Sequence, residues 1–216
     1  MNLEQYKKEF APDDTPGWSA IDKVLDRLYP NQEPKHWAAT PHYSVGGNDP
    51  IDGISFYETY YDNELYYHFV TYGFSNLYYD EENCEEEFSK WGFEITFRIK
   101  PFHLDEEYPK WVYGLFQNIA RYVFSSGKWF EPYHYMPANG PIRLGTETEI
   151  TGIAFLTDPE MGGIDTPNGK VQFLQMYGIT DEELQSIKDN NTDVKSIIDT
   201  AKDNNPLLIT DLLRKS

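Results

Sequence analysis

The sequence predicts an α+β domain: a mixed, mostly antiparallel sheet with helices packed against it. Three observations carry that expectation. Strand-like runs come in groups with helical stretches between them, not in strict one-for-one alternation. One run, WGFEITFRIK (91–100), alternates apolar and polar residues along its length. And the 216 residues include 17 Tyr, 13 Phe and 5 Trp, enough large side chains to fill a real core.

Residues 1–14 read as a polar lead-in, loose or helical, and 15–216 as a single domain. Thr15-Pro16 opens a helix, with Thr15 as the cap and Pro16 at the first helical position. Trp18, Ile21, Leu25 and Leu28 fall at helical spacing, and Pro30 stops it. Residues 36–53, rich in Gly, Pro and Asp, read as loop. ISFYETYY then alternates as a strand, Asp62-Asn63 supplies a turn, and ELYYHFVTYG runs back. In the 91–100 run, Phe93, Ile95, Phe97 and Ile99 share one face; Glu94, Thr96, Arg98 and Lys100 share the other. Residues 109–124 form the longest helix, with Trp111, Leu115, Ile119 and Val123 as one stripe, ended by Ser125-Ser126-Gly127. Loop with short extended pieces follows to 148. EITGIAFLTD and GKVQFLQMYGI are two further strands separated by the loop PEMGGIDTPNG. Thr180 to Glu183 is a capping box opening a short helix. Thr192 starts another over 193–202, and LLIT (207–210) is a last short strand or extended tail.

The formal net charge is -18, from 36 acids against 18 bases. Nucleic acid and anionic membrane would be repelled, whereas a basic partner would be attracted. MNLEQYKKEF has no apolar segment after its lysines and does not read as a signal peptide. No apolar run reaches the length of a membrane span. The lone cysteine, Cys84, cannot form an internal disulfide. A reducing, cytoplasmic setting is therefore expected.

Tests for catalytic chemistry fail one by one. Cys84 sits in DEENCEEE, where carboxylates suppress the thiolate. The five histidines His36, His42, His68, His103 and His134 show no helix metal spacing, and HExxH is absent. His68 reads as a half-buried, hydrogen-bonded strand residue. G-x-S-x-G is missing, and Gly46-Gly47 lacks the lysine and spacing of a phosphate loop. DEENCEEE (80–87) holds six acids in eight positions but not the ligand spacing of a calcium loop. It reads as a solvated loop, and beside tyrosines it also describes a docking surface for a basic segment. No cofactor and no metal are expected.

Seven collinear blocks then carry a resemblance: TPGWSAIDKVLDRLYP, DPIDGISFY, HFVTYGFSNLYYDE, WGFEITFRIK, IARYVFSSG, DTPNGKVQFLQMYGITDEEL and LLITDLLRKS. Together they resemble the Suppressor of Fused domain, as found in bacterial stand-alone proteins and in the N-terminal half of the animal members. The resemblance implies an α+β domain without known catalysis. Animal members bind a short transcription-factor peptide that adds as a strand beside the domain. Bacterial members look like immunity proteins that bind and block polymorphic toxins, nucleases among them. The tyrosine of the animal S-D-L-Y block, which touches the peptide, matches Tyr78. The aspartate of the following loop has Glu86 as its nearest match. The second, clamping domain of the animal protein is not expected after LLITDLLRKS.

The residues and the resemblance together lead to a non-catalytic, protein-binding domain of a bacterial immunity type, whose partner is a cognate toxin with a basic face. The expected contact residues are Tyr72, Tyr78 and Tyr79 as anchors, with Asp80, Glu81, Glu82, Glu85, Glu86 and Glu87 supplying the field. Tyr72 has a second reading as a core residue, because strand faces alternate. The alternatives are an adaptor that binds a peptide by strand addition, and an enzyme of unknown reaction near His68 and the 158–165 loop.

Overall fold

Alternating residues on either side of Asp62-Asn63 fold as a hairpin in the computed structural model, which describes residues 1–216 except His42, Ser44, Val45 and Glu106. His42 and part of the expected 36–53 loop therefore lie outside the described residues. The hairpin strands are β2 (Gly53–Tyr61) and β3 (Glu64–Tyr72). Asp62 and Asn63 both take positive φ, 50° and 64°, as a tight two-residue turn requires.

Ahead of the hairpin lie α1 (Leu3–Glu9), α2 (Pro16–Leu28) and β1 (Lys35–Ala38). The strand β1 runs into the start of the segment expected as loop, 36–53. Its four residues pair with β2, from Lys35 opposite Phe56 to Ala38 opposite Gly53. Four exposed residues without alternation carry no strand signal in the sequence. Within the lead-in, Tyr6 is fully buried. Thr15 stands at the N-cap of α2, but its side chain makes no capping bond. The first-turn N–H groups of Gly17 and Trp18 instead donate to the Leu77 carbonyl at 3.0 and 3.2 Å. Gly17 makes this docking possible: a Cβ there would lie 2.0 Å from the Asn76 carbonyl oxygen.

After the hairpin come β4 (Phe88–Ile99), α3 (Trp111–Ser126), β5 (Tyr135–Pro137), β6 (Ile150–Thr157), β7 (Gly163–Thr166), β8 (Gly169–Thr180), α4 (Asp181–Lys188) and α5 (Val194–Lys202). The eight-stranded sheet runs β1-β2-β3-β4-β8-β6-β5, with β7 also paired to β8. Among the named strands of the described residues, only β4 and β8 pair in parallel; the other strand pairings are antiparallel. This is the α+β, mixed and mostly antiparallel sheet that the sequence predicts. β7 lies within PEMGGIDTPNG, again a short strand inside an expected loop. The capping box at Thr180 and Glu183 is present, while α5 is capped by Asp193, not Thr192, through a 2.7 Å bond from the Ser196 N–H. LLIT contributes one parallel bridge, Thr210 to Ile99.

One face of the sheet packs on α3. Phe56, Phe69, Phe93, Ile95 and Phe97 meet Val112, Tyr113, Phe116, Ile119, Ala120 and Val123 in one apolar cluster. The buried stripe of α3 is rotated from the expected one: Trp111 and Leu115 lie at its margin, only partly buried. The helix is apolar around most of its circumference, so spacing alone does not choose the face. The opposite side of the sheet is covered too. There α2 places Ile21 and Leu25, and the Tyr29 that follows the helix, against Tyr57, Val70, Tyr72 and Phe173. Near the C-terminus, α4 and α5 cover Ala154, Leu156, Tyr177 and Ile179. The polar face of β4 is consequently interior: Glu94, Thr96 and Arg98 are all fully buried.

Candidate functional site

The chain leaves β3 at Gly73, whose φ of 135° is closed to residues with a Cβ, and a Cβ there would also press on the Asp52 backbone nitrogen at 2.8 Å. The Glu94 carboxylate holds this exit. It accepts from the N–H of Gly73 and of Ser75 (2.9 Å each) and from the hydroxyls of Thr71 (2.7 Å) and Ser75 (2.6 Å). Burial pushes the Glu94 carboxyl above its ordinary pKa, and these donors counter that push.

Residues 76–87 then form a turn-rich loop before β4. Its backbone is pinned from two sides. The Asn168 amide donates to the carbonyls of Asn76 (2.8 Å) and Tyr78 (2.9 Å). The Tyr6 hydroxyl donates to Asn168 at 2.6 Å and accepts from the Asp80 N–H at 3.0 Å. Asp80 caps the turn through the Asn83 N–H and the Asn76 amide, at 3.2 and 3.0 Å. Cys84 is buried, its Sγ 3.5 Å from the Glu81 carbonyl, and burial raises its thiol pKa with the Glu85 charge adding to the effect. With the thiol turned inward, Glu81, Glu82, Glu85, Glu86 and Glu87 point to solvent. Two carry cations: Lys7 on Glu81 at 2.8 Å and Lys170 on Glu87 at 3.1 Å. Among the described residues Glu82, Glu85 and Glu86 form no ion pair.

The three tyrosines part company. Tyr72 is 1% exposed, stacked on Trp18 with ring centroids 4.5 Å apart, and its hydroxyl donates to Asp22 at 2.8 Å. It belongs to the core beneath α2, which corrects its assignment as an anchor: β3 is covered on both faces, so neither choice of face leaves Tyr72 in solvent. Tyr79 is half-buried, packed on Tyr6 at 5.1 Å, its hydroxyl on Glu81. Tyr78 offers its ring to solvent at 45% exposure.

Sequence reasoning passes over a neighbouring apolar surface. Phe88 and Trp129 are 55% and 56% exposed. With Trp91, Phe93, Phe130, Glu131 and Gln172 they line an open cavity of about 480 Å³ that continues from the end of the acidic loop. The signal was a bulky aromatic directly after three glutamates, at the point where β4 shifts register against β8 between Phe88 and Phe93.

The other candidate centre, His68 with the 158–165 loop, is brought together and sealed. His68 shares a 2.6 Å hydrogen bond with the Tyr29 hydroxyl, and its Nε2 lies 3.5 Å from Asp158. Arg98 reaches Asp158 (2.6 Å), Glu160 (2.8 Å) and Gln175. The Asp158 carboxylate also accepts from Thr96 at 2.7 Å and from the Glu160 and Met161 N–H groups at 2.9 Å each. Burial, with the Arg98 charge beside it, holds the His68 pKa down to about 4. Burial alone would raise the Asp158 carboxyl, but His68 and Arg98 outweigh it and hold it below the usual carboxylate range. His68, Arg98 and Asp158 have no solvent-exposed side-chain surface, so a substrate has no approach. Their task is to tie β3, β4, β8 and the 158–162 turn together. Among the described residues no cluster of His, Cys, Asp and Glu is placed to hold a metal, and no helix is long and apolar enough to cross a membrane.

Comparisons with known proteins agree with this architecture. A family model described as Suppressor of fused protein (SUFU) matches residues 47–215. The chain is 34% identical over 211 residues to the human Suppressor of fused homolog and to the mouse one, covering 92% of this chain and 43% of each relative. It thus spans under half the length of those relatives. A crystal structure of the Sufu-Fu complex matches with a TM-score of 0.85 at 27% identity, over 94% of this chain and 93% of that one. The crystal structure of Drosophila Suppressor of Fused matches with a TM-score of 0.84 at 27% identity, over 95% of this chain and 52% of that one.

Proposed function

This chain belongs to the Suppressor of fused family, and from that membership we propose that it is a non-catalytic protein-binding domain of the immunity type, which captures and neutralises a basic polypeptide toxin in a bacterial cytoplasm. The observation that carries the binding surface is the loop 80–87: a rigidly pinned backbone that follows the exposed Tyr78 in the chain, holds its glutamates in solvent and runs into the aromatic cavity at Phe88. A nuclease or other anion-handling toxin needs a basic face for its substrate, and an acidic loop of this kind competes for that face. Charge alone gives a fast encounter with little residence. Tyr78, Phe88 and Trp129 supply the flat, desolvatable surface that a tight complex needs. A solved relative was crystallised as a complex with a second protein, Fu, which supports binding as the family's mode of action. The toxin itself is inferred from the resemblance of bacterial family members to immunity proteins.

The test lies in the reading frame adjacent to this chain's own gene. A secreted product with a basic C-terminal domain, whose toxicity is relieved by co-expression of this chain, is the expected result; unchanged killing removes the immunity reading. In the complex, Tyr78→Ala is expected to weaken binding by about 2 kcal/mol. A cost under about 0.5 kcal/mol places Tyr78 outside the interface.

A further inference from the structure

The end of the sheet at β1 carries chemistry that the acidic loop does not use. β1 pairs with β2 along one edge, and among the described residues no strand lies along its other edge. Beneath its C-terminal end a slot of about 140 Å³ opens between the strand and α3, lined by Trp37, Ala38, Thr40, Asp49, Ile54 and Gln117. Gln117 forms its floor at 8% exposure. The Gln117 amide nitrogen donates to the Ile51 carbonyl at 3.2 Å, which fixes the orientation of the amide, because a carbonyl accepts only from the NH₂. The Oε1 atom then has no donor among the described residues. A buried acceptor without a donor is uncommon in a folded protein and asks for one. At the rim stands Asp49, which holds Arg121 through Oδ1. One wall is the Trp37 indole, stacked flat on Tyr113 and 47% exposed.

A carbonyl acceptor on the floor, a carboxylate at the rim and an aromatic wall together select a cation-bearing group. The volume excludes a drug-sized ligand, which fills about 300 Å³ or more, and suits one extended side chain. The strand edge, unpaired among the described residues, offers the backbone pairing that would deliver such a side chain. We propose that β1 is a second docking edge, which takes an extended segment of a partner polypeptide as an added strand and seats one of its lysine or arginine side chains in the slot against Gln117 and Asp49. This stands apart from the acidic loop and survives if the toxin reading fails.

The probe is a blocked peptide, acetyl-Thr-Val-Lys-Val-Thr-amide, titrated into the full chain and followed by the NMR shifts of the Trp37 indole N–H, the Gln117 side-chain amide and the β1 backbone. Saturable shifts at all three are expected, with the norleucine analogue binding at least about tenfold more weakly. Gln117→Leu and, independently, Asp49→Asn should each narrow that preference. Circular dichroism spectra and melting curves of each variant keep loss of fold separate from loss of the site. Equal binding of the two peptides, or no shift at Trp37 up to about 10 mM peptide, means a hydrated slot only and overturns the proposal. Shifts confined to residues 80–87 overturn it as well and locate basic peptides on the acidic loop. Shifts at β1 that grow with protein concentration alone put a second copy of the chain on the edge and also overturn it.

Discussion

Two regions of this molecule are dense in charge and use it in opposite ways. Around Arg98, the Asp158 carboxylate and the ring of His68 sit in the interior, with Glu160 reaching in from the surface, joined by hydrogen bonds to Thr96, Gln175 and Tyr29. In the loop 80–87, carboxylates stand in solvent, and Glu82, Glu85 and Glu86 lack an ion-pair partner among the described residues. The interior set is committed. Each charge was taken out of water to meet a specific partner, and removing one partner strands the other. The loop set is uncommitted and stays hydrated, so its field extends outward for about a Debye length, near 8 Å at physiological salt. Titratable residues in a cleft would ordinarily suggest chemistry. Here the more perturbed groups are the sealed ones, and their perturbation reflects architecture. The surface we propose for binding is the one whose acids remain in solvent.

The sharpest way to break this contrast is to cut the interior set. Asp158→Ala leaves Arg98 buried against Glu160 alone and removes the acceptor that shapes the 158–162 turn. A loss of about 3–5 kcal/mol is expected in denaturant unfolding. A loss below about 1 kcal/mol would mean that the seam is not a structural tie.

Acid should attack the same seam next. His68 has a folded pKa of about 4 against an ordinary value of 6.5. Between those values the unfolded chain binds the proton and the folded one does not, so stability falls as pH drops from 6.5 to 4. The contribution of this one residue is at most about 3 kcal/mol. The depressed Asp158 acts in the same direction further down: its contribution is present above the unfolded carboxylate pKa and is lost as pH falls below it. Unfolding free energies measured across this range should decline, and His68→Gln should flatten the part between 6.5 and 4. A flat profile in the wild type would show that His68 takes up its proton without opening the fold.

The sequence made the frame of this contrast legible and hid its interior. The hairpin at Asp62-Asn63, the β4 alternation and the Thr180 capping box depend on neighbours within a few residues, and each reads directly. The acidic loop reads as well, because six acids in eight positions have no interior to occupy. What did not read was whatever depends on coverage of both sheet faces. WGFEITFRIK looks like a strand with one wet face; the 158–162 turn and α2 make that face dry, so Glu94, Thr96 and Arg98 become core. Tyr72 changes from anchor to core for the same reason. His68 and Asp158 lie ninety positions apart in the chain, and nothing local announces that they meet. The short strands β1 and β7 escape notice because four residues carry too little periodicity to separate from loop.

The smallest effect on folding, and the one that bears most directly on function, comes from the loop itself. Glu82→Gln, Glu85→Gln and Glu86→Gln together remove three charges that hold no cation among the described residues. Leu3 N–H donates to Glu85 at 3.3 Å, and glutamine keeps an oxygen for that contact. Tm should therefore move by no more than about 2 °C, since surface changes away from packed features cost little. Association with a basic partner should slow by about tenfold at low salt, with the difference shrinking as salt rises, because steering acts on the encounter and is screened. The dissociation rate should hold nearly constant, since Tyr78, Phe88 and Trp129 remain. If the triple variant instead binds at the wild-type rate at every salt concentration, the loop's charge serves solubility, and the aromatic surface alone would have to account for recognition.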